Sequence, residues 1–124
     1  MPNDLAERCN FIEECYEFML AYAAQGVDDG VEIRDYLARA AQSLTGLSAV
    51  ARAELDSPFM AVLDRDASDA LAAVELVLAQ PAISSQLIDN LNASIHLRAL
   101  LTDLFLIDEV LKGQRKLASE NILR

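Results

Sequence analysis

Apolar residues recur every three or four positions along most of this chain, which is the spacing of one face of an α-helix. In the first segment Leu5, Cys9, Ile12, Tyr16 and Met19 follow this spacing. No stretch shows the apolar–polar alternation with β-branched residues that is typical of a β-strand. Only four glycines and three prolines occur, and we expect them near helix boundaries. The pattern predicts an all-α fold.

Helix start and stop signals divide the chain into four helices. Ser57 followed by Pro58 is a strong start signal, because serine caps a helix and proline fits its first turn. The predicted helices are a first that ends at Gly26, a second over about residues 30–55, a third from Ser57 to about Gln80, and a fourth from Ser84 or Ser85 to near Gly113. We therefore expect an antiparallel up-down-up-down four-helix bundle in residues 1–113, followed by a C-terminal extension, helical or frayed, in residues 114–124.

The charge balance excludes several classes of partner. The 124 residues carry 20 acidic and 10 basic side chains, so the net charge is -10. Such a chain is repelled by a phosphate backbone or an anionic lipid surface, and we expect no binding to nucleic acid or membranes. The first ten residues have neither a basic segment nor an apolar core typical of a secretory signal, which predicts a cytoplasmic protein.

The two cysteines do not form a recognisable site. Cys9 and Cys15 are six residues apart, which places them on different sides of a helix and beyond the reach of a disulfide. No Cys-x-x-Cys pair occurs, and the residue three before the single histidine is Ala93 rather than the glutamate of a di-metal bundle. We expect reduced thiols, no metal and no cofactor.

The fourth helix is apolar around most of its circumference beyond residue 96. One bundle core covers only part of such a surface, so the remainder is expected to lie in a subunit interface. We assign that interface to Leu100, Leu104, Ile107 and Leu111. The sequence therefore predicts a homodimer.

His96 is the only histidine and lies on the polar edge of the fourth helix. In architecture the chain resembles histidine phosphotransfer domains, which are small four-helix bundles with one exposed histidine on a long helix. Those domains follow the histidine with a lysine and a small residue, whereas His96 is followed by Leu97 and by Arg98, which lies about 160° away around the helix. Phosphotransfer at His96 is kept as an alternative function.

A second alternative is a sensor bundle that holds a small apolar ligand between its helices. Its lining would include the aromatic residues Phe11, Phe18, Tyr22 and Phe105. Aromatic residues at helical spacing usually belong to a core, which makes this the less favoured interpretation.

The favoured interpretation is a protein-interaction module such as an adaptor, a regulatory subunit or a dedicated chaperone. No paired catalytic groups, phosphate-binding loop or nucleophile with an adjacent base is evident, so we do not expect an enzyme. Nine of the first 35 residues are acidic, which makes the first helix a candidate contact for a basic partner. Residues 112–124 carry four basic side chains and one acidic, so the two ends of the chain differ in charge.

Overall fold

A computed structural model of the chain describes residues 4–25 and 31–123, and the side chains as far as residue 120. This part of the chain contains six helices and no strand. The helices are α1 (Leu5–Gln25), α2 (Val31–Leu44), α3 (Leu47–Glu54), α4 (Phe59–Leu78), α5 (Ser85–Ala93) and α6 (Ile95–Leu123). The all-α prediction is confirmed, and the predicted helix end at Gly26 lies outside the described residues.

The second predicted helix is broken into α2 and α3 at Gly46. This glycine has a φ of 73°, in the left-handed region that side chains other than glycine rarely adopt. The preceding residue, Thr45, turns its hydroxyl back onto the Ala41 carbonyl at 2.8 Å. The break allows the axis of α3 to differ in direction from that of α2. The expected four continuous helices therefore do not form.

The fourth predicted helix is also broken, at Ser94. The Ser94 backbone is extended, with a ψ of 143°, and α6 begins at the next residue. Serine is a poor residue for a helix interior and a good one for a helix boundary, because its side chain competes for backbone hydrogen bonds. The long C-terminal helix is thus a separate element, and it continues through Gly113 to Leu123 rather than closing near Gly113.

Two of the predicted helix starts are supported by capping contacts. The Ser84 hydroxyl oxygen accepts a hydrogen bond from the Leu87 amide at 3.0 Å, which confirms that the helix begins at Ser85. The Ser57 hydroxyl oxygen accepts from the Phe59 amide at 3.2 Å, and α4 begins at Phe59. Both starts follow from local sequence.

The core lies between two groups of helices. α1 packs against α2 and α5, whereas α4 packs against α2, α3 and α6. The largest completely buried side chains come from all six helices: Met19, Ile33, Leu37, Leu47, Met60, Leu63, Ile88, Leu100, Leu104 and Ile107. Burial of each such side chain contributes about 1.5–3 kcal/mol before the entropy cost of ordering it.

Two arginines join helices by binding the carbonyl groups at helix ends. Arg8 on α1 donates to the Ser43 carbonyl at 3.1 Å and to the Thr45 carbonyl at 2.7 Å, at the end of α2. Arg34 on α2 donates to the Leu78 carbonyl at 3.1 Å, at the end of α4. A cation at a helix C-terminus also complements the helix dipole. Both basic side chains of the acidic first 35 residues are therefore occupied in structural contacts.

Candidate functional site

An exposed apolar line follows the outer side of α6. Leu106, Val110, Gly113 and Leu117 lie within about 60° of one another around the helix, and we call them the outer stripe. The side chains of Leu106, Val110 and Leu117 are 52%, 40% and 60% exposed. Scattered apolar residues are ordinary on a protein surface, but aligned ones on one helix typically mark a contact with another molecule.

The outer stripe continues past the point where α6 leaves the core. Leu111 is the last buried residue of α6, and every residue from 112 to 120 is exposed. We call residues 112–120 the projecting end. A short helix without packing is only marginally stable in water, so the projecting end is suited to gain stability from a partner.

An apolar groove lies beside the first half of the outer stripe. It encloses about 250 Å³ between α6 and the segment that joins α3 to α4. The lining residues are Leu55, Ser57, Phe59, Leu106, Ile107 and Val110. A leucine or a similar side chain of a partner fits a groove of this kind, because its burial removes apolar surface from water on both sides.

Charges change sign along α6, and two of the charged residues, Glu109 and Lys116, border the outer stripe. Asp108 and Glu109 precede the projecting end, and Lys112, Arg115 and Lys116 lie on it. Asp108 and Lys112 form an ion pair at 3.0 Å, and this contact raises the pKa of Lys112. Along α6 the charges are therefore acidic before Leu111 and basic after it, and Asp108, Lys112 and Arg115 lie on the side of the helix away from the stripe.

The residues that we expected in a subunit interface are elsewhere. Leu100, Leu104, Ile107 and Leu111 are 0%, 1%, 2% and 8% exposed and belong to the core of the chain itself. They lie about 120° from the outer stripe around α6, on the side that packs against α4. The assignment of these four residues to a contact with a second subunit is wrong, because a side chain buried within one chain is not available to another.

One signal in the sequence distinguishes the two apolar sides of α6. The line that contains Leu104 and Leu111 continues into Arg115, whereas the line that contains Leu106 and Val110 continues into Leu117. A charged residue ends the buried line where the core ends. On the described projecting end the outer stripe keeps a leucine, whereas the buried line continues only into Arg115 and the small Ala118.

His96 lies in the first turn of α6 and is exposed. Within the described residues its ring makes no hydrogen bond or ion pair. The exposure agrees with the predicted position on the polar edge of the helix. Phosphotransfer at His96 stays a prediction, and no feature around the ring favours it.

A pair of carboxyl groups connects α4 and α6. Asp103 is 7% exposed, and the Asp66 carboxyl group lies near it. Burial raises the pKa of Asp103 to about 7, together with Asp66, which favours the protonated form as an acceptor and as a nearby negative charge. No group of three or more potential metal ligands occurs among the described residues.

Cys9 lines a second groove, of about 290 Å³, between α1, the end of α3 and α6. Its lining combines apolar side chains with the carboxylates of Glu13, Glu54 and Asp108. Burial and these carboxylates raise the pKa of the Cys9 thiol to about 12, and burial raises the pKa of Cys15 to about 12 as well. Both thiols are free, and both are poor nucleophiles because the reactive thiolate is disfavoured.

Three of the four aromatic residues proposed to line a ligand cavity lie together on α1, where Phe18 and Tyr22 have ring centroids 6.4 Å apart, whereas Phe105 lies on α6. Phe18 and Phe11 stack on Tyr36 of α2, at centroid distances of 4.1 and 6.1 Å, and Tyr22 donates its hydroxyl to the Ile83 carbonyl at 2.7 Å. Phe105 is 56% exposed on α6. Phe11, Phe18 and Tyr22 pack α1 against its neighbours, which is a structural role.

The acidic first helix presents Glu14 and Glu17 to solvent, and Glu13 is half-buried at the rim of the second groove. Its role as a contact for a basic partner stays a prediction.

Within residues 4–25 and 31–123, no helix is both long enough and apolar enough to cross a membrane. Comparison of the chain with known protein families, with curated proteins and with solved structures finds no match.

Proposed function

We propose that this chain is a small helical protein-interaction module that acts by binding rather than by catalysis. Its contact surface is the outer stripe of α6 together with the adjoining apolar groove. The observation that carries the proposal is the continuation of the exposed stripe from Leu106 to Leu117, beyond the last buried residue of the helix. An adaptor, a regulatory subunit and a dedicated chaperone all use such a surface.

The mode of binding follows from the shape of the surface. An apolar line on a helix with charged borders is the usual element of helix-in-groove and helix–helix recognition. Leu106, Val110 and Leu117 supply the apolar contacts, and the charges of Glu109 and Lys116 along one side of the stripe select the partner and its direction. Because Leu104 and Ile107 of α6 are buried in the core, the outer face of the helix is held in a defined position.

Photocrosslinking in the native cells tests this proposal. A photoreactive amino acid at Val110 is compared with the same amino acid at Leu20, which is 47% exposed on α1 and lies outside both grooves. We expect a discrete protein adduct from position 110 and none from position 20. Leu117→Glu in the same chain should abolish the adduct, because it places a charge in the apolar contact. Equal adducts at both positions, or none at position 110, would contradict the proposal.

A further inference from the structure

We propose that the partner of the outer stripe is a second copy of this chain. The two α6 helices pair antiparallel, related by a two-fold axis that passes midway between residues 111 and 112. This inference rests on the proposed function, since it names the partner of the same surface. The residues that form the contact differ from the buried set of Leu100, Leu104, Ile107 and Leu111.

The spacing of the outer stripe is self-complementary. In an antiparallel pair centred between residues 111 and 112, Leu106 of one copy meets Leu117 of the other, and Val110 meets Gly113. One axis satisfies both pairs at the same time, and by symmetry each contact occurs twice. Gly113 is exposed, with no atom near the position that a side chain would take, so it leaves room for Val110 of the second copy.

The charges beside the stripe favour the same arrangement. Glu109 and Lys116 lie within about 20° of each other on one side of the stripe. In an antiparallel helix pair, residues on the same side of the two seams face each other. Glu109 of one copy therefore approaches Lys116 of the other, and the reciprocal pair forms across the axis.

The overall charge separates the antiparallel from the parallel alternative. Each chain has a net charge of -10, so a parallel pair would hold two acidic bodies side by side. The antiparallel pair places these bodies at opposite ends of the contact. It also lays the projecting end of each copy, with Lys116 beside the stripe, along the acidic body of the other. In the same arrangement Leu117 approaches the apolar groove beside Leu106.

The size of the contact predicts a reversible dimer. A pair of single helices buries an area at the low end of stable interfaces, below about 1,200 Å². We therefore expect a dissociation constant of roughly micromolar order at moderate ionic strength.

Sedimentation equilibrium of the full chain tests the surface. We compare the wild type with Leu117→Glu and with Leu20→Glu, which adds the same charge to an exposed leucine outside the stripe. We expect Leu117→Glu to raise the dissociation constant at least about tenfold and Leu20→Glu to change it less than about twofold. Circular dichroism should show both variants folded, because both side chains are exposed. A wild type that stays monomeric at about 200 μM, or equal effects of the two variants, would overturn the inference.

A charge exchange tests the direction of pairing. Glu109→Lys alone and Lys116→Glu alone each create two like-charge contacts in the symmetric pair, so each variant should associate more weakly than the wild type. An equimolar mixture should form a heterodimer that restores both opposite-charge contacts, with an affinity close to that of the wild type. A mixture that associates no better than the separate variants would refute the antiparallel register.

The two experiments distinguish this inference from the proposed function. A monomeric wild type that still forms an adduct at position 110 with a different protein would overturn self-association and leave the interaction module in place. An adduct of the chain with itself, together with weakening by Leu117→Glu, would support both.

Discussion

The buried Asp103 carboxyl group on α6 lies near the Asp66 carboxyl group on α4, across the contact between the two helices. Burial and the neighbouring Asp66 raise the pKa of Asp103 from its ordinary 3.8 to about 7. Between these two values the folded chain holds a proton that the unfolded chain has released. The stability from this group is therefore present at low pH and is lost as the pH rises through about 7.

Asp103→Asn should remove this pH dependence. The amide keeps a donor for Asp66 and cannot ionise, so we expect the variant to be about 1–2 kcal/mol more stable than the wild type at pH 8. The free energy of unfolding in urea, measured from pH 5 to pH 8, gives the comparison. Asp69→Asn, at an exposed position on α4, makes the same change of charge and should leave the slope unchanged. Equal slopes for the wild type and Asp103→Asn would contradict the role of the pair.

Replacement of a buried residue of α6 should affect folding, and replacement of an outer residue should not. Leu104→Glu places a charge at a site that is 1% exposed, and we expect a loss of at least about 3 kcal/mol, enough to unfold much of the chain. Leu106→Glu, at a site that is 52% exposed, should change stability by less than about 1 kcal/mol. Urea unfolding followed by far-UV circular dichroism measures both. A folded Leu104→Glu chain would show that this side of α6 is not core.

The same substitution at two glycines should have opposite effects. Gly46→Ala should cost about 1 kcal/mol because the φ of 73° strains any side chain, although nothing lies within 4 Å of the added atom. Gly113→Ala should stabilise the chain by about 0.5–1 kcal/mol, because Gly113 lies inside α6 and is exposed. Thermal unfolding at low protein concentration, where association is minor, tests the signs. Equal effects at both sites would argue against the break at Gly46.

The two thiols should be unreactive until the chain unfolds. The pKa values of Cys9 and Cys15, both about 12, leave little thiolate at pH 8. We expect a disulfide reagent to modify them at least about a hundredfold more slowly in the native chain than in denaturant. Complete reaction in denaturant should count two thiols per chain. Fast modification of the native chain would show that the groove around Cys9 opens readily.

The sequence by itself determined the helical character of this protein and several of its helix starts. Spacing of apolar residues every three or four positions is a local property, and so is the capping of α5 by Ser84, whose hydroxyl oxygen binds the Leu87 amide. The breaks at Gly46 and Ser94 are also caused by local residues of low helix propensity. The direction that the chain takes after each break is not a local property, because the angle between two helices depends on what each helix packs against.

Only the tertiary structure decided which side of α6 is buried. Leu104 and Leu106 are chemically identical and two residues apart, yet the first is 1% and the second 52% exposed. Between residues 100 and 111 the helix is apolar on both sides, so the pattern over that stretch does not choose between them. Packing against α4 selects the side that contains Leu104 and Ile107, since that side meets the apolar face of α4. The outer stripe is the apolar side left over by this choice, and its exposure is a property of the assembled helices rather than of any one segment.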